Sequence, residues 1–431
     1  MSSPQSPSPC RSGGHPDQQL PAETPAGQFP KIGTGSRFSG ARPSPRRLVH
    51  LAFALANRLL PKDPARIVLH STVDVEDGLL SVADECVRRG WQPIVLLEDP
   101  KREALLRSLS VAGIKTIPKR SARGVLAFLT ARYVMTTSRL YGDHRPPSSQ
   151  IVVSLWHGEP PTKVTARFSG RGGVHSTYAP VCSTVGRAYR SAEFDMHPLQ
   201  VPIVGAPRND RMLSADRASL RSQLLGADAD RPTLLWMPSF RVGKYGAERR
   251  ADSVGLPDGG PFPATDLQRL DAWLDEHGAR IVLKVHPRDA ETFTGDFRAI
   301  RVLHGPELVA HETTLYPVLS VFDGLITDMS SVWLDYLLLD KPMVFAFPDI
   351  ADYRAGRGLN LEPYEHWVPG PLTTDVDQMI AAVQDVVAGR DPMAEERARA
   401  RVRFHQFLDG HSTERLLDGL GLGARSDLGD A

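Results

Sequence analysis

Cysteine is scarce in this 431-residue chain. The three present, Cys10, Cys86 and Cys182, are too far apart for a disulfide framework and lack zinc-ligand spacing, which points to a reduced compartment. Also missing is any apolar run near the ~20 residues that span a bilayer, and the first residues lack the apolar core of a secretory signal. Neither charge is in excess, with 51 Lys and Arg against 50 Asp and Glu. A general nucleic-acid binder is normally basic overall, so that class is set aside. There is no glycine-rich P-loop and no G-x-G-x-x-G opening the first domain, which argues against a kinase, an ATPase or a dehydrogenase. Asp and Glu do not cluster with metal spacing, so a metal-independent site without a cofactor is expected.

What is present is enough hydrophobic sequence, 41%, to bury two cores at this length. Residues 1–45 are rich in Ser, Pro, Gly and Gln; such a composition cannot offset the entropy of ordering, and a disordered tail is expected. The pattern from Arg46 to Leu60 is helical. Arg46, Arg47, Arg58 and Lys62 flank its apolar positions, which suits a helix on an anionic membrane surface and equally one packed on the first domain. Strands at 66–70, 93–97, 115–117, 133–136 and 150–155 then alternate with helices at 77–89, 101–112 and 123–131. Such alternation predicts a parallel sheet covered on both faces. A strand over 176–183 and a helix over 185–194 follow. Residues 202–210 read as a short strand and a Gly/Pro turn with an exposed Arg208, closing a first domain over 46–213. A second α/β pattern spans 214–408, with a Gly- and Pro-rich insertion over 242–265 and a strand over 280–285. The remainder, 409–431, reads as one short helix and a frayed end.

The second domain is organised around 321–347, VFDGLITDMSSVWLDYLLLDKPMVFAF. Residues 325–327 read as a short buried strand, 328–331 as a loop, 332–339 as a helix and 343–347 as a second strand. Strands so connected run parallel, and the helix starts at the carboxyl end of the first, where open α/β sheets bind ligands. Ser330 or Ser331 can cap that helix, while the free N–H groups there also suit a phosphate. Three other strand ends carry polar residues: His157 before Gly158, Arg241 after Pro238-Ser239-Phe240, and His286 before Pro287. Each alone is ambiguous, and His157 by itself reads more readily as a structural histidine. Together they supply cations, N–H donors and a candidate base, an inventory that fits phosphoryl chemistry.

The ordered series LWHGEPPTK, VGAPRNDRML, LLWMPSFR, LKVHP, ITDMSSVWLDYLLLDKPMVFAFPD, RAGRGL, VPGP and RFHQFLDG resembles the CDP-glycerol glycerophosphotransferase family, the teichoic-acid primases and polymerases. The likeness runs over roughly residues 46–420. It implies an α/β fold of GT-B-like type, two Rossmann-like domains facing a cleft. It also implies transfer of a polyol phosphate, such as glycerol phosphate, from a CDP-activated donor to a lipid-linked or glycan acceptor with release of CMP. Family members act as peripheral proteins at the cytoplasmic face of the membrane, which favours the membrane reading of residues 46–60.

Residue by residue, the resemblance makes His157 the general base. Arg241 and His286 hold the donor pyrophosphate, and Ser330 and Ser331 grip its phosphates. Asp328 orients that loop or meets ribose or glycerol hydroxyls, Arg357 and Gly358 lie near the donor, and Arg208 bridges the cleft. The chain departs from the family at Glu159, where Thr is usual. A carboxylate there is expected to raise the pKa of His157 or to discourage a polyanionic acceptor. Two further readings stay open: a GT-B sugar-nucleotide glycosyltransferase, which releases a nucleoside diphosphate, and a catalytically weak homologue that binds a nucleotide or glycan.

Overall fold

A computed structural model describes residues 45–138, 140–141, 145–159, 175–239, 262–284, 296–356 and 358–425, except the side chains of 45–49 and 356. The expected tail, most of the insertion, Arg241, His286 and Arg357 lie outside the described residues. Helix α1 (Pro45–Leu59) precedes a sheet built from β1 (Asp63–His70), β2 (Ile94–Leu97), β3 (Lys115–Pro118), β4 (Ala131–Thr136) and β5 (Ile151–Ser154). Its strands are all parallel, in the order β3-β2-β1-β4-β5. The crossovers are α2 (Asp77–Arg88), α3 (Glu103–Leu109) and α4 (Ala122–Thr130). Three consecutive apolar residues, Ile67, Val68 and Leu69, are fully buried, as expected for a strand with helices on both faces. Helix starts follow capping chemistry: the Glu76 carboxylate accepts from Leu79 N at 3.1 Å and the Ser121 hydroxyl from Gly124 N at 3.0 Å.

After β5 the expected strand at 176–183 forms only single bridges, Val153 with Tyr178 and Val181 with Ile203. Pro180 within it has no N–H to give to a ladder. Helices α5 (Thr184–Phe194), α6 (Pro207–Leu213) and α7 (Arg217–Leu225) lead to the second sheet. That sheet contains β6 (Thr233–Met237), β7 (Arg280–Leu283), β8 (Ile300–Val302), β9 (Gly324–Thr327), β10 (Met343–Ala346) and β11 (Leu372–Thr373). Its strands are again parallel, in the order β11-β10-β9-β6-β7-β8. Its helices are α8 (Ala264–Glu276), α9 (Gly305–Ala310), α10 (Leu315–Leu319), α11 (Val332–Tyr336), α12 (Ile350–Gly356), α13 (Val376–Val387), α14 (Ala394–Phe404) and α15 (Ser412–Gly419).

Side-chain alternation divides the second core. Leu234, Trp236, Ile281, Leu283, Ile326 and Val344 pack with α8 and α13 on one face. Leu235, Val282, Leu325 and Phe345 pack with Trp333, Tyr364 and Phe404 on the other. The chain then returns to the first sheet. Gln406 N donates to Cys182 O at 2.9 Å, and Leu416, Leu417 and Leu422 join the core of Ile67, Leu69 and Leu79. The end expected to fray is therefore packed as far as Arg425, whose N–H donates to Arg89 O at 2.9 Å, while Trp91 Nε1 donates to Gly423 O at 2.9 Å.

Candidate active site

In each sheet the strand order reverses once, between β1 and β4 and between β6 and β9. The crevices beyond the strand carboxyl ends at such points are where this architecture binds ligands. At the second reversal, Asp328 is fully buried and ties two strand ends together. Its carboxylate accepts from Ser239 N (2.8 Å), Ser239 Oγ (2.6 Å) and Ser330 N (3.0 Å), and its carbonyl accepts from Tyr364 OH at 2.8 Å. Of the two roles expected for Asp328, the geometry displays loop orientation.

The serines that follow do not cap the helix as expected. Helix α11 is only five residues long and continues as a 3-10 turn over Leu337–Leu339. Ser331 takes the cap position with helical backbone angles (φ −63°, ψ −9°) and makes no side-chain cap bond. A side chain caps from an extended backbone; here both hydroxyls are left without a partner among the described residues.

His157 approaches from the other sheet. Trp156 turns the chain with φ +52°, a left-handed conformation that a bulky residue holds only where its surroundings enforce it. Those surroundings are specific. The indole stacks on His157 (centroids 4.5 Å apart) and meets Phe194 edge-on at 5.0 Å, with the Arg190 guanidinium 5.5 Å from its ring. Arg190, itself buried, donates to Gly158 O at 2.9 Å. The imidazole is exposed on the cleft, with Nδ1 3.5 Å from Thr137 O. A Cβ on residue 158 would collide with the Ser331 hydroxyl and lie 3.3 Å from Ser331 Cβ, so glycine is what lets the two loops touch.

Between them lies a cavity of about 470 Å³ whose wall includes His157, Ser330, Ser331, Met237, Lys284 and Glu76. Glu76, which caps α2, and Lys284, which directly follows β7, drew no assignment of their own from the sequence. Burial, and then the charge of Asp77, push the Glu76 carboxyl from 4.5 up to about 7. Burial also raises Asp77, which accepts from the Thr314 hydroxyl and from Tyr316 N at 3.3 Å.

Two expectations are corrected. Arg208 is 3% exposed, not open to solvent. It lies in α6, started by Pro207, and clasps Asp335 of α11 through two bonds of 2.9 and 3.1 Å, with Glu159 at 3.7 Å. It joins α6 to α11 as a buried ion pair. Glu159 faces inward as well: at 7% exposure it accepts from Cys182 N at 3.4 Å and Cys182 Sγ at 3.3 Å. Its carboxylate anchors the loop behind His157 and does not confront an incoming acceptor. Gly358, with φ +83° and its N–H bonded to Tyr353 O at 3.0 Å, follows α12 and is not part of the cavity wall.

Residues 56–420 match the family model described as CDP-glycerol:poly(glycerophosphate) glycerophosphotransferase. The chain is 30% identical over 254 residues to the teichoic acid ribitol-phosphate primase of Bacillus spizizenii, covering 57% of this chain and 59% of that protein. It is 25% identical over 288 residues to the teichoic acid ribitol-phosphate polymerase TarK of Staphylococcus aureus, covering 63% and 52%. The matches thus span a little over half the length of these curated relatives. In three dimensions it is similar to a variant of the wall teichoic acid polymerase TagF, with a TM-score of 0.68 and 18% identity over 87% of this chain and 93% of that one.

Proposed function

The chain belongs to the CDP-glycerol:poly(glycerophosphate) glycerophosphotransferase family, and from that premise we propose that it transfers a polyol phosphate from a CDP-activated donor to an acceptor hydroxyl, releasing CMP. The observation that carries this reading is the contact of two loops from different sheets: the His157 loop meets Ser331 in the wall of one cavity. The relatives are named for ribitol-phosphate transfer, and one TagF variant was solved after a soak with CDPG.

The acceptor oxygen attacks the phosphorus that bears the polyol, forming a new P–O bond. The bridging P–O bond to CMP breaks, and CMP leaves with the bond electrons. The hydroxyl proton passes to the imidazole of His157, whose Nδ1 lies 3.5 Å from Thr137 O. The unpartnered hydroxyls of Ser330 and Ser331 donate to phosphate oxygens. Arg241, His286, Arg357 and Gly358 are assigned to the donor from their motifs. Arg208 supports the site from behind by holding α6 on α11.

The acceptor is lipid-linked or a glycan, and the protein works at a membrane surface. Leu51, Leu55 and Leu59 form one stripe of α1 and are 64%, 58% and 72% exposed, while Phe53 turns inward onto Phe128 at 5.6 Å. Arg58 lies exposed beside the stripe. An exposed apolar stripe beside a cation suits the interface of an anionic bilayer. No helix among the described residues is long and apolar enough to cross a membrane.

The test is nucleotide release from CDP-glycerol and from CDP-ribitol in the presence of membrane extract. Wild type should release CMP only when acceptor is present. His157→Ala should lower that rate by roughly 10²- to 10⁴-fold, the usual share of general base catalysis. No CMP from either donor, with a nucleoside diphosphate released from a sugar nucleotide instead, would select the glycosyltransferase reading.

A further inference from the structure

Lysines withdrawn from water normally spend their ammonium on acceptors inside the protein. Lys62 does so on Asn57 O (2.6 Å) and Asn57 Oδ1 (2.8 Å), Lys341 on Ser320 O (2.5 Å) and Phe322 O (2.6 Å), and Lys119 on the Glu98 carboxylate (2.8 Å). Lys284 is equally half-buried, yet its ammonium has no hydrogen bond or ion pair among the described residues. Burial depresses its pKa.

Its placement is fixed by the sheet. Lys284 follows β7, and its N–H still donates to Trp236 O at 2.8 Å, so the backbone stays in register one residue beyond the strand. Alternation puts its side chain on the face of Val282, the face on which Met329 and Val332 pack. It thus enters the cavity that His157, Ser330 and Ser331 also line. One ammonium and two hydroxyls there present donors with no acceptor from the described residues, and their chemical complement is an anion rich in oxygen.

We propose that Lys284 binds the pyrophosphate of the CDP donor and neutralises the charge that collects on the CMP phosphate as the bridging P–O bond breaks. This role rests on the CDP-polyol reading of the same cleft. A cation with no partner among the described residues is held ready for the anion, and the charge it meets grows in the transition state.

The experiment is calorimetric titration of wild type, Lys284→Met and Lys284→Arg with CDP and, separately, with cytidine, which has the base and ribose but no phosphate. Lys284→Met should weaken CDP binding roughly ten- to a hundredfold, the range for a hydrogen bond to a charged group. Lys284→Arg should stay within about threefold of wild type on the same scale, and cytidine should bind all three alike. The thermal midpoint of unliganded Lys284→Met should match or exceed that of wild type, because the substitution removes an unpaired, half-buried charge. A purely structural lysine would lower that midpoint and leave the CDP-to-cytidine ratio unchanged. Equal CDP affinity for Lys284→Met and wild type would overturn the role of Lys284 while the donor reading stands. Wild type that binds CDP no better than cytidine would overturn both.

Discussion

Replacing Arg208 by Met tests how the two halves of the site are held in register. The guanidinium meets Asp335 through bonds of 2.9 and 3.1 Å and has Glu159 at 3.7 Å, with all three side chains buried. Methionine fills comparable volume but leaves two carboxylates without their cation. Removing one partner of a buried pair costs about 3–5 kcal/mol, a large part of the ~5–15 kcal/mol that holds a typical fold together. Equilibrium urea unfolding should show this as a lower midpoint with an unchanged slope. Lys at 208 should recover only part of it, since an ammonium cannot match the two-pronged contact with Asp335. Combining Arg208→Met with Asp335→Asn should cost less than the sum of the single changes by roughly 0.5–3 kcal/mol, the range for residues in one network. The amide can still accept from Tyr316 OH, now at 2.8 Å from Asp335. A single-mutant loss under about 1 kcal/mol, or strict additivity, would refute the claim that this pair fixes α6 on α11.

Gly158→Ala, whose Cβ would collide with the Ser331 hydroxyl, should lower turnover by on the order of 100-fold, as a misplacement near 1 Å can do; steady-state kinetics decides. Glu76 titrates near 7 in the folded protein against an ordinary value of 4.5. The folded state therefore holds the proton more tightly, and stability falls as pH rises from about 4.5 to about 7. Glu76→Gln should accordingly gain on the order of 3 kcal/mol over wild type at pH 8 and nothing at pH 4, read from urea melts at both. Leu51→Asp combined with Leu55→Asp should reduce co-sedimentation with anionic vesicles at least about tenfold and leave release of CMP in the presence of a soluble acceptor intact.

Most strands were legible because buried parallel strands are short apolar runs bounded by breakers, as at 325–327 before Asp328; the short edge strands β8 (Ile300–Val302) and β11 (Leu372–Thr373) were not. Their ends pointed to His157 and the Ser330/Ser331 loop, which the fold does bring into one cavity. Relations across the chain were not legible. Arg208 and Asp335 lie 127 residues apart, and α6 is short and polar, with only Pro207 at its start as a sign. Glu159 reads as a hazard beside the base until its partners, Cys182 and Arg208, are seen behind it. The end of the chain reads as frayed because the surface that covers Leu422 is the first sheet, more than 300 residues earlier, where Trp91 reaches Gly423. Lys284 drew no role of its own within LKVHP because a lysine at a strand end is ordinary in sequence; that its ammonium has no partner among the described residues is a fact of three dimensions.

The most direct measurement of the central claim is the stoichiometry of a single turnover. The purified protein is incubated with CDP-glycerol and acceptor, and phosphorus NMR follows the nucleotide and the product together. One CMP should appear for each new phosphodiester, and neither should form with His157→Ala on the same timescale. CDP appearing without a new phosphodiester, or equal rates with and without His157, would contradict the account.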